Sequence, residues 1–237
     1  MSADRIQDLV SQRIPAAYFA DDRPWVIGYS GGKDSTFLLQ AVYRWISETP
    51  RAKRIKPVHV LACDTRVELP SMTAHIEGEM ERVAEAAKRD ELPVHCQIIT
   101  PDINDTFWVN LLGRGYPSPT IHFRWCTERL KILPVSRFIQ RVIDRSGSVN
   151  ILLGVRADES VARARSLERY EAGAGTGFRP HTDLRNAWVV APIHDFLTAD
   201  VWTYLNDTPC PWGGTNNSLR DLYLRAGGTE PPLPTER

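Results

Sequence analysis

Six consecutive residues, Ser30-Gly-Gly-Lys-Asp-Ser35, bring two hydroxyls, two glycines, a cation and a carboxylate together in one short stretch. They follow an apolar run, Trp25 to Tyr29, and precede a run of helical period with Phe37, Leu38, Val42 and Ile46 on one face. Strand, tight glycine turn and helix in that order make an anion cradle. Glycine lets the backbone approach a ligand, and the first amides of a helix converge where the peptide dipoles leave partial positive charge. A phosphate chain fits such a place. The spacing is not that of a Walker A loop, which needs four residues between its glycines and then Gly-Lys-Ser/Thr. Here Gly28 and Gly32 have three residues between them, and Asp34 follows Lys33. The competing reading is a glycine turn that only joins strand to helix.

The elements needed to hold that turn recur along the chain. A first helix is predicted over Ala3 to Arg13, the loop's own helix from near Asp34 to Ile46, and further strands at Val58 to Ala62 and Val94 to Thr100. A helix from about Ser71 to Arg89 has Ile76, Met80, Val83 and Ala87 on one face. Another, over Val135 to Ile143, has Pro134 at its start, where proline is tolerated. The run Val149 to Val155 reads as a strand buried on both faces, and Trp188 to Ile193 as a last short one. Thr198 is expected to cap a helix reaching Leu205, and Ser218 one that stops at Gly227. Alternating strands and helices predict an α/β fold, doubly wound around a mostly parallel five-stranded sheet. The expected division is an α/β domain over 1–193 and a helical extension over 194–237.

On such sheets the ligand sits beyond the carboxyl ends of the strands. Those ends carry polar residues here: Cys63-Asp64-Thr65, Thr100-Pro101-Asp102 and Gly154-Val155-Arg156. The glycine-rich stretch Glu171 to Asp183 reads as a loop. Composition excludes several classes. With 237 residues the chain can bury a sizeable core unaided. Lysine plus arginine equals aspartate plus glutamate at 29 each, so global charge points to no polyanionic partner. Local charge says more: Arg124, Arg129, Lys131, Arg137, Arg141 and Arg145 crowd one stretch, and Arg156, Arg163, Arg165 and Arg169 another. Four cysteines (Cys63, Cys96, Cys126, Cys210) are far apart and form no paired motif, as in reduced cytosolic proteins. No signal-peptide pattern or apolar run of membrane-spanning length is present, so a cytoplasmic protein without a membrane partner is expected.

The loop S-G-G-K-D-S resembles the pyrophosphate loop of the ATP pyrophosphatases, and three further segments extend that resemblance. Asp64-Thr65 with Glu68 resembles the D-T-x-x-E of the phosphoadenylylsulfate reductase branch. Arg124-Trp-Cys-Thr-Glu-Arg-Leu-Lys131 resembles its C-x-x-x-x-K segment, and Gly154-Val-Arg156 with Glu159-Ser160 and Arg163 its G-x-R-x-x-E-S-x-x-R segment. Taken together with Pro209 to Tyr223, the motifs look most like the DNA phosphorothioation proteins of the DndC and SspD type, within the adenine nucleotide alpha hydrolase-like fold. The nucleophilic cysteine that the reductases carry in an E-C-G-x-H-like segment is not found in the sequence. Nor is the cysteine-rich region that holds a [4Fe–4S] cluster in longer DndC-type proteins, so no such cluster is expected here.

The resemblance implies an enzyme that cleaves ATP to AMP and pyrophosphate with Mg2+, in the service of putting sulfur into the DNA backbone. Ser30, Gly31, Gly32, Lys33 and Ser35 would hold the outer phosphates and Asp34 would bind or orient the metal. Lys131 and Arg156 would act as anion clamps at the α-phosphate, with Asp64 and Gly154 beside the nucleotide. Cys126, between two arginines that would favour its thiolate, is the candidate acceptor of persulfide sulfur, and Cys210 a weaker one. The implied partners are a cysteine desulfurase, DNA and other proteins of a phosphorothioation system. The alternatives are a phosphoadenylylsulfate reductase-like or tRNA-thiolating enzyme of the same fold, and a non-catalytic ATP-binding scaffold.

Overall fold

The computed structural model describes residues 2–159 and 177–225. Arg163, Ser160, the start of the glycine-rich stretch and the stop at Gly227 lie outside the described residues. Five parallel strands follow the buried apolar runs: β1 (Trp25–Tyr29), β2 (Val58–Cys63), β3 (Val94–Ile99), β4 (Val149–Leu153) and β6 (Ala187–Val190). A sixth, β5 (Arg179–Pro180), pairs antiparallel on the outer edge of β6, giving the order β3-β2-β1-β4-β6-β5. The sheet therefore has six strands, one more than periodicity indicates. Two residues are too short to show a period, and Pro180 reads as a strand breaker except at an edge, where β5 lies.

The order reverses between β1 and β4. From β1 the chain winds outward through α2 (Lys33–Glu48), β2, α3 (Pro70–Arg89) and β3, then crosses back to β4 on the other flank of β1. That crossing is made by the helical stretch Trp125–Thr127, Glu128–Ile132 and Leu133–Ser146, here called α4. The middle section is a wider, π-type turn, so Pro134 follows it inside a continuing helix rather than starting one. The amino-terminal helix α1 is likewise continuous through Ser2–Asp8, Leu9–Arg13 and Ile14–Phe19, past the expected end at Arg13.

Two apolar layers cover the sheet. On one face α1, α2, α3 and the later helix α5 (Thr198–Asp207) bury Phe37, Val60, Met80, Phe196 and Tyr204 in one cluster. The other face belongs to α4, whose Phe138, Ile139, Val142 and Ile143 pack on Val26, Ile151 and Val189. Phe196 and Tyr204 lie 5.2 and 4.8 Å from the Phe37 ring, so α5 and the turn before it pack on the main core. Such ring pairs add about 0.5–1.5 kcal/mol beyond their buried area. The last described helix, α6 (Asn217–Arg225), reaches back toward the start of α2. No helix among the described residues is long and apolar enough to cross a membrane.

A buried cation anchors the amino ends of β1 and β4, opposite the loop. Lys56 donates from Nζ to the Asp21 carbonyl (2.8 Å) and carboxylate (3.3 Å), over the rings of Tyr18 and Trp25. Asn150 of β4 donates to the same carboxylate at 3.0 and 3.1 Å. Burial pushes the Asp21 carboxyl up, but the Asn150, Arg23 amide and Lys56 contacts outweigh it and hold the group below the usual carboxylate range. Burial pulls Lys56 down despite its partner. The pair is thus a constraint bought with desolvation. Asp21→Ala should lower unfolding stability by about 3–5 kcal/mol, because it strands a buried ammonium. Urea titration would read that loss, and the double change Asp21→Ala, Lys56→Met should recover part of it. In the native protein the carboxylate's contribution is present above its unfolded pKa, about 3.9, and fades as pH falls through the lower folded value.

Candidate nucleotide-binding site

The turn Ser30–Gly32 leaves β1 at the switch point and feeds the first amides of α2. Gly31 has φ +73°, and a Cβ there would sit 2.6 Å from Ile76 Cγ1, so only glycine suits the position. Two serines stiffen the turn from inside. The Ser30 amide donates to Ser35 Oγ (3.2 Å), the two hydroxyls are 3.1 Å apart, and Ser35 Oγ donates to the Gly32 carbonyl at 2.9 Å. The Gly32 amide in turn donates to Ser30 Oγ at 3.4 Å, which closes the turn around its two serines at the start of α2.

Gly154 explains how β4 joins the site. A Cβ there would lie 2.7 Å from the Asp34 carbonyl oxygen and 3.0 Å from the Ser35 amide, so the end of β4 touches the amino end of α2 backbone to backbone. Two residues on, Arg156 Nε donates to Asp34 Oδ1 at 2.6 Å. Its other nitrogens reach Asp158 (3.2 Å), the Phe196 carbonyl (3.2 Å) and Thr198 Oγ1 (3.0 Å). The guanidinium is 1% exposed. Arg156 is therefore not the open anion clamp expected of it: its donors are committed to protein acceptors, and it fixes Asp34. Thr198 likewise turns its hydroxyl to Asp158 instead of capping α5, and Asp200 accepts the Leu197 amide at that helix start.

Asp34 differs from expectation too. One carboxylate oxygen faces Arg156 and the other lies 3.6 Å from Lys33 Nζ. With both oxygens already facing cations, Asp34 does not fit as a direct magnesium ligand. Magnesium is commonly held by one or two carboxylates plus substrate phosphates and water, and Asp34 in this geometry serves instead to orient Lys33. Among the described residues no group of three or more His, Cys, Asp or Glu side chains is placed to hold a metal ion.

The remaining predicted residues spread around the crevice. Asp64, at the end of β2, accepts the Arg66 amide at 2.8 Å. Lys131 is on α4, and its Nζ is 3.0 Å from Glu68. Glu68 also accepts from Thr65 Oγ1 at 3.2 Å, so the D-T-x-x-E segment and the C-x-x-x-x-K segment meet there. Lys131 is thus paired with an acid at some remove from the turn. The basic stretch around it is partly neutralised as well: Asp105 takes Arg129 at 2.7 Å and Arg137 at 3.6 Å.

The thiols do not converge. Cys63 packs with the α4 layer, whereas Cys96 and Cys210 belong to the opposite layer. Burial pushes Cys63 and Cys96 up to about 11 and Cys210 to about 12, which removes Cys210 from the sulfur acceptors. A [4Fe–4S] cluster does not fit this arrangement. Cys126 is half-buried at the start of α4, and one of its flanking cations, Arg129, is turned to Asp105 and Tyr116.

One residue was not foreseen from the sequence. Tyr223 of α6 accepts the Lys33 amide at its hydroxyl (3.2 Å), and its ring lies 5.1 Å from Lys33 Nζ. It falls in the Pro209 to Tyr223 segment flagged by resemblance, but nothing in the spacing links position 223 to the loop.

Comparison with known proteins places the geometry. Residues 24–213 match the phosphoadenosine phosphosulfate reductase domain. The chain belongs to that family. A phosphoadenylyl-sulfate reductase from Candida auris, solved as a phosphate complex, shares the fold with TM-score 0.51 at 16% identity, covering 94% of this chain and 92% of that one. The U34-tRNA thiolase NcsA of Methanococcus maripaludis, solved with its [4Fe–4S] cluster, does so at TM-score 0.52 and 13% identity, over 94% and 72%. Curated relatives include an uncharacterised protein of Methanocaldococcus jannaschii, 24% identical over 80% of this chain and 33% of its own length. An uncharacterised nin region protein of phage lambda is 27% identical over 56% of this chain and 48% of its own length. The chain spans between a third and a half of these curated relatives.

The Tyr223 hydroxyl occupies an amide that a phosphate oxygen would otherwise take. Removing that neutral acceptor frees a hydrogen bond worth about 1 kcal/mol net. Tyr223→Phe should therefore tighten pyrophosphate binding about five-fold, read by isothermal titration, while lowering the stability of the free protein by about 1 kcal/mol in urea unfolding.

Proposed function

We propose that this member of the reductase-domain family is an ATP pyrophosphatase that activates a nucleic-acid phosphate for sulfur incorporation, with the DNA backbone as its acceptor. The single observation that carries the reading is the glycine turn that feeds the start of α2 at the β1/β4 switch point, with the Lys33 ammonium 3.6 Å from an Asp34 carboxylate that Arg156 holds. Amides at a helix start and a fixed ammonium favour charge that accumulates on two phosphoryl groups leaving together. In this reading Ser30, Gly31, Gly32, Lys33 and Ser35 grip the β,γ-phosphates, and Asp34 holds Lys33 in place. Arg156 holds Asp34 in place. Magnesium, held through the phosphates, supplies charge neutralisation.

A non-bridging phosphate oxygen is a poor leaving group. Attack of that oxygen on the α-phosphorus expels pyrophosphate and leaves the acceptor adenylated. The outer sulfur of a cysteine persulfide then attacks the acceptor phosphorus and AMP departs. An external dithiol afterwards cleaves the remaining S–S bond, freeing the cysteine and ending as a disulfide. A partner cysteine desulfurase would supply the sulfur, and Cys126, which begins α4 beside Arg124 and Arg129, is the thiol taken to relay it, since desolvation pushes the other three up to about 11 or 12.

Two measurements test this. Incubation of the purified chain with ATP and Mg2+ should release AMP and pyrophosphate. Lys33→Ala and Asp34→Asn should each lower the rate by about 10²–10³-fold, the cost of losing one preorganised electrostatic group. Release of ADP and orthophosphate would end the proposal. With a desulfurase and DNA present, Cys126→Ser should abolish sulfur incorporation, followed with ³⁵S-cysteine, while leaving pyrophosphate release intact.

A further inference from the structure

A cavity of about 500 Å³ opens on the α4 side of the sheet, apart from the Ser30–Ser35 turn. Its floor is aliphatic: Ile151 and Leu153 of β4, Val189 of β6 and Ile139 of α4. Its polar lining is made of donors. Lys131, Arg179 and His181 stand around it with Ser136 and Thr182, the Thr182 hydroxyl donating to the Asp183 carboxylate at 2.9 Å, and among the described lining residues none is a carboxylate. His181 is set as a donor by its own turn. The amides of Asp183 and Leu184 both donate to Nδ1, at 3.1 Å each, so the ring proton of the neutral imidazole resides on Nε2.

The cavity communicates with the turn through β4. The Cδ2 atom of Leu153 would be 3.2 Å from a Cβ at Gly28, and Gly154, the next residue, touches the start of α2. One strand end thus separates an anion cradle from a donor-rimmed apolar pocket. Its volume falls in the range of small-ligand sites. An apolar floor favours a planar, weakly hydrated group, and clustered cations with a fixed imidazole donor favour an anion attached to it. A nucleobase with its own phosphate has both parts.

We propose that this cavity seats one nucleotide of a nucleic-acid strand, base against Ile151, Leu153 and Val189 and phosphate against Lys131, Arg179 and His181. It is an acceptor site distinct from the ATP turn. The inference deepens the proposed function, naming where the acceptor of that reaction binds.

The test uses the full chain and a fluorescein-labelled (dT)₁₂ strand, with free deoxythymidine 5′-monophosphate as competitor. Ser136→Trp, which places an indole in the cavity from the outer helix, should weaken strand binding at least ten-fold. Arg179→Ala should weaken it several-fold and flatten the logarithmic salt slope by about 0.7, the increment for one phosphate contact on a single strand. Lys33→Ala should leave strand binding unchanged, and competition by the mononucleotide supports the assignment. Unchanged strand affinity in both cavity variants, with native circular dichroism, overturns it. Pyrophosphate release with indifferent cavity variants would sink this site alone. Strand binding lost in Ser136→Trp without any pyrophosphate release would sink the proposed function and leave the site standing.

Discussion

The Asp34–Arg156 pair is the interaction on which the rest of this molecule turns. It joins the first turn of α2 to the segment leaving β4 at 2.6 Å, with the guanidinium withdrawn from solvent and bonded to Asp158, Phe196 and Thr198. A buried pair of this kind is seldom a gain in stability over an apolar pair, since desolvation consumes most of the Coulomb energy. What it supplies is geometry. Backbone contact at Gly154 brings the two chain segments together, and the ion pair then selects one rotation of the Asp34 side chain. The Lys33 ammonium is in turn fixed near the amides it must work with. Through Phe196 and Thr198 the same guanidinium ties α5 into the site, so catalytic geometry and the packing of the carboxyl-terminal helices are one problem.

That coupling explains which parts of the site could be read from the sequence. The turn itself was legible because its information is local: glycine at a positive φ, serines that bond within five residues, and a strand and helix whose periods are unmistakable. The ends of β2 and β4 were legible as polar punctuation after apolar runs. Burial of Arg156 was not, because an arginine in a motif reads the same whether it faces a ligand or a carboxylate 122 positions away. Tyr223 was missed for the same reason, since its partner lies 190 positions earlier. Within the fold, β5 was too short to show alternation. The expected start at Pro134 failed because a wider turn upstream carries the helix to it. Sequence patterns report what a residue does to its neighbours in the chain, and these features depend on neighbours in space.

The two faces of the sheet divide the work. The face under α1, α2, α3 and α5 holds the larger apolar cluster and two of the four thiols, one in it and one against it. It gives the ATP turn a rigid backing, with Ile76 of α3 pressed against Gly31. Among the described residues the other face is covered by α4, and the cavity opens beside that helix near the edge strands β6 and β5. In the proposed reading one substrate is gripped where strand order reverses and the acceptor enters beside α4, next to it.

The charge pattern follows the same division. Asp105 and Glu68 draw in Arg129, Arg137 and Lys131, so the stretch that looks most basic in the sequence presents less net charge than its composition suggests. A partner drawn only by bulk positive charge would find little there. A partner that also offers an apolar group to the cavity floor would be held by shape and charge together, because Lys131 can exchange Glu68 for a phosphate without leaving the rim. Exchange of one acid for another costs less than exposing a new cation. An acceptor that competes with Glu68 for Lys131 should therefore bind with a modest salt dependence and a strong dependence on the fit of its base. That balance favours a site which reads one nucleotide closely over a surface that tracks a strand.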